Sequence, residues 1–527
     1  MSRGTLVFAV LLAWSAVGLA DPDAGAPADA VVDASAAGND DAGTGDVDAT
    51  TTTTPATTTT TTTPATTTTT TNAPAPPAPV VLGELKGTIK QSLGGRAMGL
   101  VGMAFLVGIA FVFSTNRRAV SWRLVGSGIV LQMVFALFVL KTSAGIWFFG
   151  RANDAITTLL SFSQAGSRFV FGNLADNKIP VGVGLSPSFD DPRVMGELFA
   201  STGSMIAFRV LPTILFFSAL TAVLYHLGIL QRVVKVLALV MQKTMGTSGA
   251  ESLSASANIF VGQTEAPLLV RPYLAKMTSS ELCCVMTGGF ATVAGGVMAA
   301  YVGMLSSTFP DIAGHLLAAS VMSAPAALVM AKVLVPETEV PETRGGAEIP
   351  IVKVDANVID AATRGTSEGL HLALNVAAML IGFLALLAML NGVVGGVGGV
   401  FGFPDLSLEL IFGYVGAPLA FILGTPAEDV VAVGQLLGTK TVVNEFVAYL
   451  QLNTMLQTGG IVHGKSVVIA IYALCGFSNF GSIGIQIGGM AALCPDRRSD
   501  LARLGMRSML AGSLACFQTA AIAAMLL

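Results

Sequence analysis

Two otherwise apolar stretches of membrane length in this chain each carry a carboxylate, in Gly262-Gln263-Thr264-Glu265-Ala266-Pro267-Leu268 and in Asn444-Glu445-Phe446-Val447-Ala448-Tyr449. A charged side chain at the centre of a bilayer costs about 2.5 kcal/mol or more, so it is kept where it faces a polar cavity and does a job. The pair therefore restricts the fold to one that shelters both groups inside a helical membrane body, and it marks Glu265 and Glu445 as the working site.

Composition supports that class. Hydrophobic residues make up 53% of the chain and charged residues 11%, with a mean hydropathy of +0.72. Soluble domains carry roughly 45–50% apolar and about 25% charged residues, so the expectation is an all-α polytopic membrane protein in a lipid bilayer. The net charge of -4 is weak and much of the acid lies near the N-terminus, which argues against nucleic acid as a partner. Cys283, Cys284, Cys475 and Cys516 fall in apolar stretches and Cys494 ends one, without disulfide or metal-ligand spacing. His226, His315, His371 and His463 are scattered without HExxH-like spacing, so a metalloenzyme has little support.

The N-terminal segment stands apart. Arg3 precedes the apolar run Leu6 to Val17, and Gly18-Leu19-Ala20 supplies small residues at cleavage positions. Residues 1–20 read as a secretory signal peptide, with an uncleaved anchor as the alternative. Residues 21–79 are an Asp/Ala segment followed by Thr tracts broken by Pro55 and Pro64. Such a composition builds no core, so it reads as a disordered exported spacer, and residues 80–527 as the membrane domain.

Export of the tail sets the orientation of the spans after it. A first span at about Gly95 to Thr115 is followed by Arg117, Arg118 and Arg123, which the positive-inside rule places in the cytoplasm. A second, about Leu124 to Phe148, returns outward with Trp147 as an interfacial anchor, and residues 151 to 195 read as interfacial. Further spans fall at about Met205 to Leu227, Leu282 to Leu305, Ile312 to Val335, Leu370 to Leu390, Val467 to Leu493 and Met506 to Leu527. These eight crossings satisfy the charge rule in the inner (cell) membrane and leave both the tail and the C-terminus extracytoplasmic. The run Gly392 to Gly399 lacks the setting of a phosphate cradle and reads as an external loop.

Two segments, about Val234 to Leu274 and Val430 to Leu456, are interrupted midway by polar residues, and either one counted as a span would invert the basic loops after it. Both read as re-entrant hairpins, tolerated only where exposed backbone is buried in protein or lines a watery cavity. Each is followed by an interrupted span, Gly289-Phe290-Ala291-Thr292-Val293-Ala294-Gly295 in one case and Gly476-Phe477-Ser478-Asn479-Phe480-Gly481-Ser482 in the other. Two such units of opposite orientation form inverted repeats, the pattern of a midplane site in a secondary transporter.

The polar groups constrain the ligand. Gln263, Thr264 and Glu265 together donate and accept, which suits the edge of a heterocycle; Glu445, Asn479 and Ser482 suit vicinal hydroxyls. No Arg or Lys lies in these clusters, so a phosphate or carboxylate ligand is disfavoured and a neutral, hydrogen-bonding solute fits. Catalysis by the two carboxylates is the rival from another class, but no nucleophile, metal set or cofactor motif accompanies them. A channel is disfavoured because the polar positions gather at one locus.

At these residues the chain resembles the concentrative nucleoside transporter family. Gly262 to Leu268, Asn444 to Tyr449 and Leu474 to Gly484 match its signatures, as do Leu211-Pro212 with Phe216-Phe217-Ser218, and Ser323-Ala324-Pro325 with Pro336-Glu337-Thr338-Glu339. The likeness covers about residues 95–527. It implies a homotrimer whose protomers have eight transmembrane helices plus two re-entrant hairpins, divided into scaffold and transport domains. The implied activity is elevator-type, cation-coupled symport of purine and pyrimidine nucleosides, not catalysis. By the same resemblance Gln263, Thr264 and Glu265 contact the nucleobase, Glu445, Asn479 and Ser482 the ribose, with Val297 and Phe477 beside the ligand. Asn258, the Val261 carbonyl, Thr292 and the Val293 carbonyl resemble ligands of a coupling Na+, a sensible oxygen set for a hard cation. Proton coupling through a buried Glu is the alternative. Gly262 is expected to leave space beside the base, and Ala427 stands where many relatives carry Trp.

Overall fold

The computed structural model describes residues 93–176, 178–185, 195–201, 206–345 and 355–526. The signal peptide and tail expected at 1–20 and 21–79 lie outside the described residues. The described residues are mostly helical, as they must be where lipid offers no partners to backbone N–H and C=O groups.

The first helix, α1, spans Leu93–Val112, and α2 spans Trp122–Lys141. The second apolar stretch thus ends earlier than its hydropathy suggests. Thr142 is extended (φ -87°, ψ 143°) and its hydroxyl accepts from the Gly145 N–H at 2.9 Å, capping a new 29-residue helix, α3, Ser143–Phe171. Trp147 therefore sits in the first turns of α3, 65% exposed, and not at the end of α2. The region expected to be merely interfacial continues as a two-stranded antiparallel ribbon, β1 (Lys178–Leu185) and β2 (Met195–Ser201), with Lys178 opposite Ser201 and Leu185 opposite Met195.

A π-turn, Ile206–Val210, leads into α4, Leu211–His226. Next, α5 (Ile229–Met245) lies between two left-handed glycines, Gly228 (φ 73°) and Gly246 (φ 71°). These breaks separate α5 from the first hairpin, which begins later than Val234. Its arms are α6, Gly249–Ala257, and a return through the 3-10 turn Ala266–Val270 into α7, Arg271–Leu274. The broken span follows as α8 (Ser279–Ala291) and α9 (Gly295–Leu305), then α10, Ile312–Leu334.

Capping chemistry fastens this first unit at its base. Ser248 with Glu251 and Thr278 with Glu281 each form a reciprocal capping box at the starts of α6 and α8. The boxes are cross-linked, because the Ser248 hydroxyl donates to Glu281 Oε1 at 2.6 Å. Lys332 of α10 closes the group, with Nζ 2.8 Å from Glu251 Oε2 and 3.0 Å from Glu337 Oε2.

Helix α11, Val358–Val400, runs for 43 residues and includes Gly392 to Gly399, so the expected external loop is helix. In lipid, an unpaired glycine backbone has no water to turn to, and continuing the helix satisfies it. Its buried positions Ala361, Gly365, Gly369 and Ala373 form one stripe at spacings of four. The glycines in it lie against α4: a Cβ on Gly369 would stand 2.8 Å from Leu215 Cα and 2.9 Å from Ser218 Cβ.

The second unit opens with α12 (Leu408–Ile422), whose Gly416 backs onto Gly434 of α13 (Val430–Val442). The second hairpin is completed by α14, Glu445–Thr458. Its broken span is α15 (Gly464–Leu474) and α16 (Phe480–Leu493), and α17, Arg498–Leu526, closes the chain. Among the described residues, six helical stretches are long and apolar enough to cross a membrane, α8 with α9 counting as one. Packed against α1, α8, α10, α15 and α16, α17 is the central column of the core. Arg497 just before it donates to the carbonyls of Ala275 (2.9 Å) and Met277 (2.8 Å), tying the end of the first hairpin to the second unit.

Candidate functional site

Asn444 is extended, and its Oδ1 accepts from the Val447 N–H at 2.9 Å, capping α14. The next residue, Glu445, therefore stands in the first turn of a helix, where unpaired N–H groups and the helix dipole favour a carboxylate. Asn479 repeats the device at α16: Oδ1 accepts from the Ser482 N–H at 2.8 Å. That bond fixes which end of the Asn479 amide is nitrogen, and Nδ2 donates to Glu445 Oε2 at 2.9 Å. The other oxygen, Oε1, accepts from the Tyr301 hydroxyl at 3.0 Å. Glu445 is thus held from the first unit by Tyr301 and from the second by Asn479, and each oxygen keeps a lone pair for a ligand hydroxyl. Val297, four residues before Tyr301, lies on the same face of α9 and is buried, as are Asn479 and Ser482; Phe477 is half-buried in the break of the second span.

The tip of the first hairpin meets the same helix α16. Ser482, Gln486 and Gly489 fall at i, i+4 and i+7, on one face. Gln486 Nε2 donates to Gln263 Oε1 at 3.1 Å, and Thr264 packs on Gly489, whose Cβ would stand 2.8 Å from Thr264 Cγ2. Gln263, Thr264, Asn479, Ser482 and Glu445 are thereby brought along one helix face. Glu265 folds back at the hairpin tip: a Cβ on Gly262 would collide with its carboxylate. Gly262 makes room for Glu265 and does not simply widen a base pocket. Glu265 Oε2, the oxygen that lies against Gly262, is buried with no hydrogen-bond partner among the described residues, so the carboxylate keeps unused acceptor capacity.

Both broken spans come apart at the same depth in the packing. Thr292 (φ -127°, ψ 169°) interrupts α8 and α9, and Gly476 (φ 132°) lies in the gap between α15 and α16. A Cβ on Gly476 would approach Phe290 O to 2.6 Å, so the breaks are in contact. The Cys516 thiol of α17 donates to Cys475 O at 2.7 Å and reaches Ala291 O at 3.5 Å, spanning the two. In the first hairpin, at the end of α6, Asn258 Nδ2 donates to Ser254 O at 3.0 Å, which turns Oδ1 away from the helix. That Oδ1 is buried without a protein partner among the described residues. The Gly295 N–H donates to Phe260 O at 3.0 Å, which ties the first break to this turn; Thr292 and Val293 are buried, Val261 is half-buried, and the Thr292 hydroxyl donates to Gly288 O at 2.9 Å.

Three residues of this locus escape a reading of the sequence. Tyr301 and Gln486 lie on largely apolar helices, and the signal that could have found them is spacing, since each stands four residues after an expected site residue, Val297 and Ser482. Lys440 had a weak signal, a lone cation in an apolar hairpin arm. It is fully buried, donates to Ala473 O at 2.7 Å at the end of α15, and lies 5.8 Å from the Phe517 ring centroid.

Comparison with known proteins agrees with this arrangement. The family described as "Na+ dependent nucleoside transporter C-terminus" matches residues 315–524, its N-terminal counterpart matches 101–174, and "Nucleoside recognition" matches 207–308. An uncharacterized transporter of Haemophilus influenzae is 44% identical over 428 residues, covering 80% of this chain and 96% of its own. Solute carrier family 28 member 3 of Eptatretus stoutii is 42% identical over 438 residues, and the match takes in 81% of this chain but only 60% of that relative. Sodium/nucleoside cotransporter 1 of Mus musculus is 40% identical, with 82% of this chain and 64% of its own covered. Among solved structures, CNTnw in an inward-facing substrate-bound state superposes with a TM-score of 0.72 at 42% identity, covering 82% of this chain and 98% of that one. A CNTnw variant in an outward-facing state gives 0.73 at 41% identity, over 82% and 98%. The chain belongs to the family of Na+-dependent, concentrative nucleoside transporters, multi-pass membrane proteins that are not enzymes and for which sodium is the coupling ion.

Proposed function

We propose that this protein is a sodium-coupled symporter that imports purine and pyrimidine nucleosides by elevator-type movement of a transport domain against a trimeric scaffold. The observation that carries the reading is the seating of Glu445, a buried carboxylate at a helix N-terminus with one donor on each oxygen and capacity left for two hydroxyls. In this reading Glu445, Asn479 and Ser482 take the ribose hydroxyls, and Gln263, Thr264 and Glu265 the base, with Val297 and Phe477 against the rings. Asn258 Oδ1, the Thr292 hydroxyl and the Val261 and Val293 carbonyls take Na+; the orphaned buried Oδ1 supports that assignment. Na+ stabilises the arrangement of the first hairpin and broken span that the nucleoside also needs, so each ligand raises affinity for the other.

Eight crossings with two re-entrant hairpins in inverted orientation complete the proposed architecture. Residues 1–20 serve as signal peptide and 21–79 as an extracytoplasmic tail, the C-terminus also being outside the inner membrane. The outward face of α11, with Ile381 74% and Val400 82% exposed, supports a scaffold surface for lipid and trimer contacts. Uptake of labelled uridine and adenosine into proteoliposomes at fixed pH and clamped potential tests the whole. Replacing sodium with choline is expected to abolish concentrative uptake, and Asn258→Ala with Thr292→Ala to raise the sodium needed for half-maximal rate. Uptake that ignores sodium and follows an imposed pH gradient overturns the coupling.

A further inference from the structure

Gln486 is 1% exposed, in the middle of an apolar helix, and its amide has no choice of orientation. Nε2 lies 2.9 Å from Met286 O, a backbone carbonyl that only accepts, so the atom facing it must be nitrogen. The second N–H of the same group points to Gln263 at 3.1 Å, so the Gln263 atom facing Gln486 must be the acceptor, Oε1. One backbone carbonyl thus fixes two amides in series. Oε1 keeps one further lone pair on the Gln486 side, and the end of the Gln263 amide remote from Gln486 is Nε2, a pure donor with no hydrogen bond to protein among the described residues. The approach depends on Gly289, since a Cβ there would collide with Gln486 Nε2 and stand 2.7 Å from Gln263 Cβ. Gln486 Oε1 meanwhile stays buried without a partner, a penalty that an apolar residue at this position would avoid.

We propose that Gln486 is a specificity-determining residue: by locking the Gln263 amide with its nitrogen toward the ligand, it makes the site favour bases that present a carbonyl there over bases that present an amino group. The inference rests on the proposed contact between Gln263 and the base. Uridine and cytidine differ by this exchange on the pyrimidine ring, and inosine and adenosine by the same exchange on the purine ring. A free glutamine would flip to suit either member of a pair; a locked one leaves the amino form with two donors face to face.

The test is the KM for sodium-driven uptake of uridine, cytidine, inosine and adenosine by the wild-type protein and by Gln486→Met, which fills similar space without donors. Wild type is expected to show a KM about three- to tenfold lower for each carbonyl member than for its amino partner, one hydrogen bond's worth of discrimination. In Gln486→Met both ratios fall to within about twofold of unity, while maximal uridine uptake per folded protein is retained. Equal KM values within each pair for the wild type overturn the proposal without any variant being needed. So do ratios that persist unchanged in a well-folded Gln486→Met. If the wild type takes up none of the four nucleosides, the proposed function falls, and this inference with it; uptake of all four without the preference overturns the inference alone.

Discussion

At the scale of single residues, the weight falls on Glu445. Glu445→Gln keeps the shape but removes the charge and replaces one acceptor oxygen by a donor, so one ligand hydroxyl and either Asn479 or Tyr301 lose their acceptor. A charge-assisted hydrogen bond contributes roughly 1.5–3 kcal/mol, so uptake at low nucleoside concentration should fall by more than about tenfold while size-exclusion behaviour is unchanged. Wild-type uptake by the folded variant would remove Glu445 from the site. Tyr301→Phe removes one donor and leaves the carboxylate with Asn479, so a several-fold rise in KM without loss of the maximal rate is expected. The carboxylates were legible in the sequence because charge in an apolar stretch is rare enough to need a reason. Tyr301, Gln486 and Lys440 were less so: spacing puts the first two on the faces of Val297 and Ser482, but their partners arise from which helix each one meets.

At the scale of elements, the breaks matter more than the helices. Gly476 combines a φ of 132°, which disfavours any side chain, with an approach to Phe290 O that leaves no space for a Cβ. Gly476→Ala should therefore separate the two broken spans and lower the thermal midpoint in detergent by several degrees, with uptake lost as well; an unchanged midpoint would show that the contact is dispensable. The positions of the helix breaks could be read from the sequence, since glycines and polar residues midway along an apolar run are tolerated chiefly where the helix itself breaks inside protein. Boundaries could not. The Gly246 stop that detaches α5 and the Thr142 cap that starts α3 are local backbone events inside uniformly apolar sequence. The Gly392 to Gly399 run misled for a related reason: glycine signals a loop in water, whereas in lipid it more often marks close helix packing or an unobstructed helix face.

The start of α11 supplies a pH dependence. The Arg364 guanidinium, bonded to Asp355 at 2.6 Å, holds that carboxyl below the usual carboxylate range. A depressed folded-state pKa contributes stability that is present above the unfolded value of about 4 and is lost as pH falls through the folded value. Arg364→Met should lower the thermal midpoint by a similar amount at pH 7 and pH 5, with the gap to wild type closing below about pH 4. A gap that grows with acidification would contradict the assignment.

For the whole molecule, the proposed division of labour puts all transport chemistry after residue 80. Deleting residues 21–79 with the signal retained should leave uptake per inserted molecule within about twofold of wild type, because their Thr- and Asp-rich composition brings few apolar groups to the transport chemistry proposed for residues 80–527. Quantitative blotting of the membrane fraction alongside uptake checks this, and a specific loss of rate would assign the tail a role.

Helix α11 also sets a condition on the surrounding lipid. Its 43 residues extend roughly 65 Å at about 1.5 Å each, and the apolar part from Leu370 to Val400 roughly 45 Å, against a hydrocarbon core of about 30 Å. Such a rod either leans steeply or thickens the bilayer beside it. Because α4 packs along its first half, the lean is shared by both helices, and acyl-chain length becomes a mechanical input to the protein. Reconstitution into bilayers of graded thickness should then give uptake rates with an optimum, as though the membrane were one more subunit with a preferred size.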